Sequence, residues 1–178
     1  MVPPPLDAWM PAPAVRVSHQ RRADAAPERL WSAARAMRLR DTRLLGRLIR
    51  WRIPGVPADA SFDELFRSQP FLPLEEGELG LLSGLVGRIW TLRRDYPRLT
   101  EPDEFRAWDR GGTAKVLFAN WVEPGPGGGS LLRSETRVQA FGAQGQLGLA
   151  SVRPLIRAFQ HLVATDAMAT AARGAASG

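Results

Sequence analysis

At 178 residues the chain has the length of one ordinary domain, enough to bury a full core without staples. It contains no cysteine, which excludes disulfides and thiolate metal sites, and no run of about 18 apolar residues that would span a membrane. The net charge of +6 sets 24 basic residues, all arginine except Lys115, against 18 acids, a balance that permits contact with nucleic acid or anionic membrane without requiring it.

The first 13 residues hold five prolines and read as a flexible lead-in from which Trp9 could dock on the domain. They lack the basic start and continuous apolar core of a signal peptide, so a cytoplasmic protein is expected. Residues 14–173 read as a single domain and 174–178 as a disordered tail. A first strand begins near Val15. Pro27 and Glu28 then open a helix whose apolar stripe is Leu30, Trp31, Ala34 and Met37. Asp41 is placed to cap a second helix over 42–51, with Leu44, Leu45, Leu48 and Ile49 on one side and Arg43, Arg47 and Arg50 on the other. Ser61 and Glu64 fit a capping box for a short helical turn.

From Pro70 the texture changes to strand and turn. A short strand, an acidic turn at residues 75–77 and a longer strand through Leu79, Leu81, Leu85, Ile89 and Trp90 are expected. The glycines at 80, 84 and 87 point to a curved sheet. Their setting is not strand followed by helix, which excludes a phosphate loop. A short element over 103–108 leads into two alternating runs, TAKVLFANWV and SLLRSETRVQA, joined by EPGPGGG. This is a long antiparallel hairpin. Val116, Phe118, Val122, Leu132, Ser134, Thr136 and Val138 share its drier face, and Lys115, Arg133, Glu135 and Arg137 its wetter one. A register with paired numbers summing to about 250 would set Lys115 opposite or diagonal to Glu135. Residues 144–173 then read as helix, kinked or restarted at Pro154. Val152, Leu155, Ile156, Phe159, Leu162, Val163, Asp166 and Thr170 share the face that would lie on the hairpin.

Few constellations carry chemistry. His19 and His161 have no second ligand at metal spacing, so no metal and no cofactor is expected. Neither a G-x-S-x-G elbow nor a Ser/His/Asp set can be assembled, and no catalytic residue is assigned. Lys115, Glu135 and Arg137 read as a cross-strand ion-pair ladder on the outer face more readily than as a reactive cluster with Arg88. Asp166 falls inside an apolar stripe, where it either meets a ligand polar group in a cavity or lies in water beyond the sheet edge. Trp90 and Trp121 read either as an exposed homodimer patch or as surface covered by the first two helices.

The order of parts, with GLVGRIW (84–90), EPDEF (101–105), GGTAKVLF (111–118) and SETRV (134–138), resembles the SRPBCC superfamily over about residues 14–173. The likeness is to bacterial members of unassigned function. It implies an α+β, START-like helix-grip fold: a curved antiparallel sheet wrapped around a long C-terminal helix, with two short helices after the first strand. One departure is the Gly-rich approach to the closing helix, GAQGQLGLASVRP, where family members tend to carry an aromatic, basic stretch. The resemblance implies a small apolar or amphipathic ligand, lipid-like or polyketide-like, held between sheet and last helix. By phase, its candidate liners are Leu81, Leu85, Ile89, Val116, Phe118, Leu132, Thr136, Phe159, Val163 and Asp166. The same residues could equally fill a closed core. Two other readings stand beside this one. In a cyclase or dehydratase acting on an aromatic polyketide-like substrate, Asp166 would be the acid or base. In a non-enzymatic interaction protein, the Arg-rich helix would meet nucleic acid or anionic lipid, although no nucleic-acid motif accompanies the charge.

Overall fold

A computed structural model of the chain describes residues 5–53, 55–91 and 95–177. Five strands, β1 (Val15–Ala23), β2 (Leu72–Gly77), β3 (Gly80–Gly87), β4 (Ala114–Pro124) and β5 (Ser130–Ala140), form one antiparallel sheet in the order β1-β5-β4-β3-β2. After the first strand come α2 (Pro27–Ala36), α3 (Leu45–Arg52) and α4 (Phe62–Arg67), preceded in the chain by α1 (Leu6–Trp9). Helix α5 (Pro102–Ala107) lies between β3 and β4. The closing helix runs as α6 (Gly142–Leu162), a π turn (Val163–Ala167) and α7 (Met168–Ser177). A five-stranded antiparallel sheet gripping a long C-terminal helix is an α+β helix-grip fold.

Local chemistry accounts for the helix starts. Pro27 occupies the first turn of α2, where its missing N–H costs nothing. Ser61 accepts from the Glu64 N–H at 3.1 Å and Glu64 returns a bond to the Ser61 N–H at 2.7 Å, the expected capping box. Asp41 does not cap α3. It accepts from the Arg38 N–H within a 3-10 turn, and α3 begins later, at Leu45.

The hairpin forms with paired numbers summing to 254, as in Ala114 with Ala140. The shift from the expected register is even, so every side chain keeps its face. Lys115 is nevertheless opposite Gln139, and Glu135 is opposite Ala119. Strand β3 stops at Gly87, leaving Ile89 and Trp90 beyond it. Glu75 and Glu76 lie within β2, not in a turn.

Both faces of the sheet are covered over β2, β3 and β4. The concave face carries Leu81, Leu85, Val116, Val122, Leu132 and Val138 against α2, α3, α4 and the closing helix. A second core on the convex face joins Leu74, Leu82, Val86, Leu117, Ala119 and Trp121 to Leu99 and Phe105, and to Leu6, Trp9 and Met10 of the proline-rich start. The lead-in expected to be flexible is therefore docked from Leu6 to Met10, with Trp9 donating to Glu75 at 3.0 Å. The wetter hairpin face is not wet either: Lys115, Glu135 and Arg137 are all buried. Trp90 packs against the first of the two cores, and the buried Trp121 belongs to the second, the one that includes Leu6, Trp9 and Met10 and not α2 or α3.

The closing helix continues through Pro154 without a restart. Its glycines explain the unusual approach to it, because a Cβ at Gly148 would come within 2.3 Å of the Trp90 ring and one at Gly145 within 2.9 Å of the Thr113 carbonyl. Bare backbone there lets the helix press onto its neighbours. Of the tail expected to be disordered over 174–178, residues 174–177 are helical, residue 178 lies outside the described residues, and the buried Ala175 accepts a hydrogen bond from Arg29 at 2.9 Å through its carbonyl. Among the described residues, no helix is long and apolar enough to cross a membrane.

Candidate functional site

Between the sheet and the closing helix lies a cavity of about 270 Å³. Its floor is the concave face of β3, β4 and β5, with Leu85, Val116, Phe118, Thr136 and Val138. One wall is α6, with Val152, Ile156, Phe159, Leu162 and Val163; the other is α3, with Leu45, Leu48, Ile49 and Trp51. A phenylalanine cluster closes the end: Phe66 meets Phe71 edge-on at 5.2 Å and Phe118 at a tilt at 5.6 Å, ring centre to ring centre, and Phe62 packs on Phe66. Leu48, Trp51 and Leu155 line the cavity and are also exposed to solvent, which marks its mouth.

Of the candidate liners, Leu85, Ile89, Val116, Phe118, Thr136, Phe159 and Val163 meet around this cavity. Leu81 and Leu132 line a neighbouring void of about 50 Å³ instead, behind Phe62 and Phe66, which Val163 also borders. Asp166 touches neither. Its carboxylate turns to α3 and accepts from the backbone N–H groups of Arg43 at 3.0 Å, Leu44 at 2.9 Å and Leu45 at 3.3 Å. It is the N-terminal cap that Asp41 was expected to be, supplied from the far end of the chain. Partial burial would raise its pKa, but those three N–H donors and the nearby Arg43 charge outweigh it, so the carboxyl titrates below its ordinary range. The π turn places it there, because the wider turn rotates Asp166 off the stripe shared by Phe159 and Val163.

Residue phase alone missed the phenylalanine end wall, the α3 wall and a polar row across the concave face. Asn120 pairs with Ser134 between β4 and β5, and Ser134 pairs with His19 between β5 and β1. Asn120 and Ser134 line the larger cavity. His19 leaves its Nε2 buried without a hydrogen-bond partner, and burial, with His161 nearby, holds its pKa below the usual histidine value. The pairing signal was present in the sequence, since these positions are even in the hairpin and odd in β1. Finding it required the register. No Asp, Glu, Lys, Arg or His lines the larger cavity among the described residues.

The expected ion-pair ladder divides between two places. Arg137 bonds Glu135 at 2.6 Å, Asp7 of α1 and the Met10 carbonyl, while Arg16 reaches Glu135 at 3.0 Å from β1. Lys115 lies apart under α5, donating to the Arg106 carbonyl at 3.3 Å between the Phe105 and Phe141 rings. Burial lowers its pKa, partly offset by Asp109. Arg88 pairs with Asp95 at the surface. These contacts fasten the convex-face cover and form no reactive cluster. On α3 and the two residues before it, Arg43, Arg47 and Arg50 are exposed, as are Leu44, Leu48 and Trp51 beside them. No group of three metal-ligating side chains occurs among the described residues.

No protein-family model matches the chain, and no curated protein matches it. Among solved structures it is similar to TTHA0849 from Thermus thermophilus, with 10% identity over 92% of this chain and 100% of that one, at a TM-score of 0.37. It is also similar to Ara h 8.0201, with 12% identity over 92% of this chain and 99% of that one, at a TM-score of 0.30.

Proposed function

We propose that this chain is an SRPBCC-type binding protein that holds a small apolar molecule between its sheet and closing helix without transforming it. The observation that carries the reading is a cavity of about 270 Å³ with an almost wholly apolar lining and its own mouth. A cavity of about 150 Å³ admits benzene, so this one suits a body of about two fused rings or a chain of about ten carbons. The cyclase or dehydratase alternative loses the residue named for it, because Asp166 spends its carboxylate on α3.

Native mass spectrometry of the purified protein, followed by solvent extraction, tests the proposal. A retained apolar molecule is expected, or one acquired on incubation with a panel of lipids and aromatic polyketides. Val116→Phe pushes a ring into the floor and should weaken retention at least tenfold with the fold intact by circular dichroism. A clean unliganded mass throughout would mean the space is only a packing void.

A second reading concerns α3. Its exposed arginines flank exposed Leu44, Leu48 and Trp51 at the mouth, the composition of a helix that lies on an anionic bilayer more than one that tracks nucleic acid. Co-sedimentation with phosphatidylglycerol vesicles should fall steeply with salt and be lost in Arg43→Gln/Arg47→Gln/Arg50→Gln. Binding that survives the triple substitution removes this reading.

A further inference from the structure

Besides Thr136, Tyr96 and Trp51, the polar side chains that line the larger cavity are Asn120 and Ser134, neighbours in one row across the sheet. Ser134 is only 5% exposed, and its hydroxyl has no hydrogen bond among the described residues. Asn120, directly opposite it on β4, is partly buried, and its amide borders both the large cavity and the small void behind it. His19, next in the row on β1, leaves its Nε2 buried and unpaired. Buried polar groups are almost always satisfied, by protein, water or ligand. His19 Nε2 is the one such unpaired atom among the described residues, and its row neighbours Ser134 and Asn120 present their polar groups to the cavity, where a group that arrives from outside can meet them.

The charge of that group follows from its surroundings. No ionised side chain lines the cavity among the described residues, so an entering carboxylate or ammonium would lose its hydration with nothing to replace it. An amide and a hydroxyl each donate and accept, and so meet a neutral oxygen function equally well as alcohol or carbonyl. Resting on the binding reading above, we propose that the ligand is a neutral amphiphile. Its apolar body fills the space under α6, and a single uncharged hydroxyl or carbonyl is hydrogen-bonded by Asn120 and Ser134.

The test compares three probes of one size at pH 7, naphthalene, 2-naphthol and 2-naphthoate, and repeats the neutral-versus-charged comparison with 1-nonanol and nonanoate. Binding is read by calorimetry and ligand-observed NMR. The wild type should bind 2-naphthol at least tenfold more tightly than naphthalene, and each neutral probe at least tenfold more tightly than its carboxylate. In Asn120→Leu/Ser134→Ala the naphthol preference should vanish while naphthalene still binds, which also certifies that the variant is folded. Equal binding of naphthalene and naphthol by the wild type overturns the polar-row inference and leaves apolar binding standing. Tightest binding of a carboxylate overturns the neutral-ligand class. Binding of no probe at all overturns the reading on which the inference rests.

Discussion

Arg137→Ala is expected to lower unfolding free energy by about 3 kcal/mol, the lower part of the range for breaking a buried ion pair. The Arg137 and Glu135 side chains are 4% and 5% exposed, and their bond is 2.6 Å. Removing the guanidinium leaves Glu135 buried with only Arg16, whose side chain is 60% exposed, to balance it. The loss also reaches α1, because Arg137 holds the Met10 carbonyl and Asp7. Urea denaturation should show the drop, and hydrogen exchange should show residues 6–10 losing protection before the rest of the domain. Arg137→Met with Glu135→Leu should recover most of the stability, since a matched apolar pair replaces a buried ionic one at little cost. A single variant as stable as the wild type would mean that the convex-face cover does not depend on this pair.

Asp166→Ala should cost about 1–2 kcal/mol, the usual scale for an N-terminal cap, here holding three donors at once. Its effect is concentrated on α3, which supplies one cavity wall, so ligand binding should weaken in step with faster amide exchange over 45–53. Asp166→Asn keeps one acceptor oxygen and should be milder. The pH dependence has a definite sign. The folded carboxyl titrates below its unfolded value near 3.8, so the stabilisation is complete above that value and is lost as pH falls through it toward the folded pKa. The gap between wild type and Asp166→Ala should therefore narrow as pH falls below about 3.8. A gap that does not narrow at any pH below the unfolded value, down to acid unfolding, would show that the cap does not act through its charge.

What the sequence made legible was largely phase, and what it hid was mostly partnership. Alternation in the hairpin placed Val116, Phe118 and Thr136 on the concave face, and the even register shift left that assignment intact. Two-sided burial was also written there. Strand β3 reads GLLSGLVG and β4 carries Leu117, Ala119 and Trp121 on its supposedly wet side, a nearly continuous apolar run typical of a strand covered on both faces. What covers that side is a proline-rich start whose composition argues for disorder, so only the docked contacts of Leu6, Trp9 and Met10 show it. Asp166 failed for a different reason. A projection at 100° per residue assumes regular helix, and the π turn breaks that assumption at the residue in question.

That single wide turn divides the closing helix into two parts that keep separate time. The inserted residue decouples the angular phase of α6, which faces the cavity, from that of α7, where Met168, Ala171 and Ala175 are buried in the core. Side chains before position 163 can therefore be exchanged to reshape the chamber without re-indexing the contacts beyond 167. A one-residue deletion within the turn would restore regular α winding over nearly the same rotation, leaving the buried alanines of α7 in their seats while removing the wide turn that directs Asp166 toward α3.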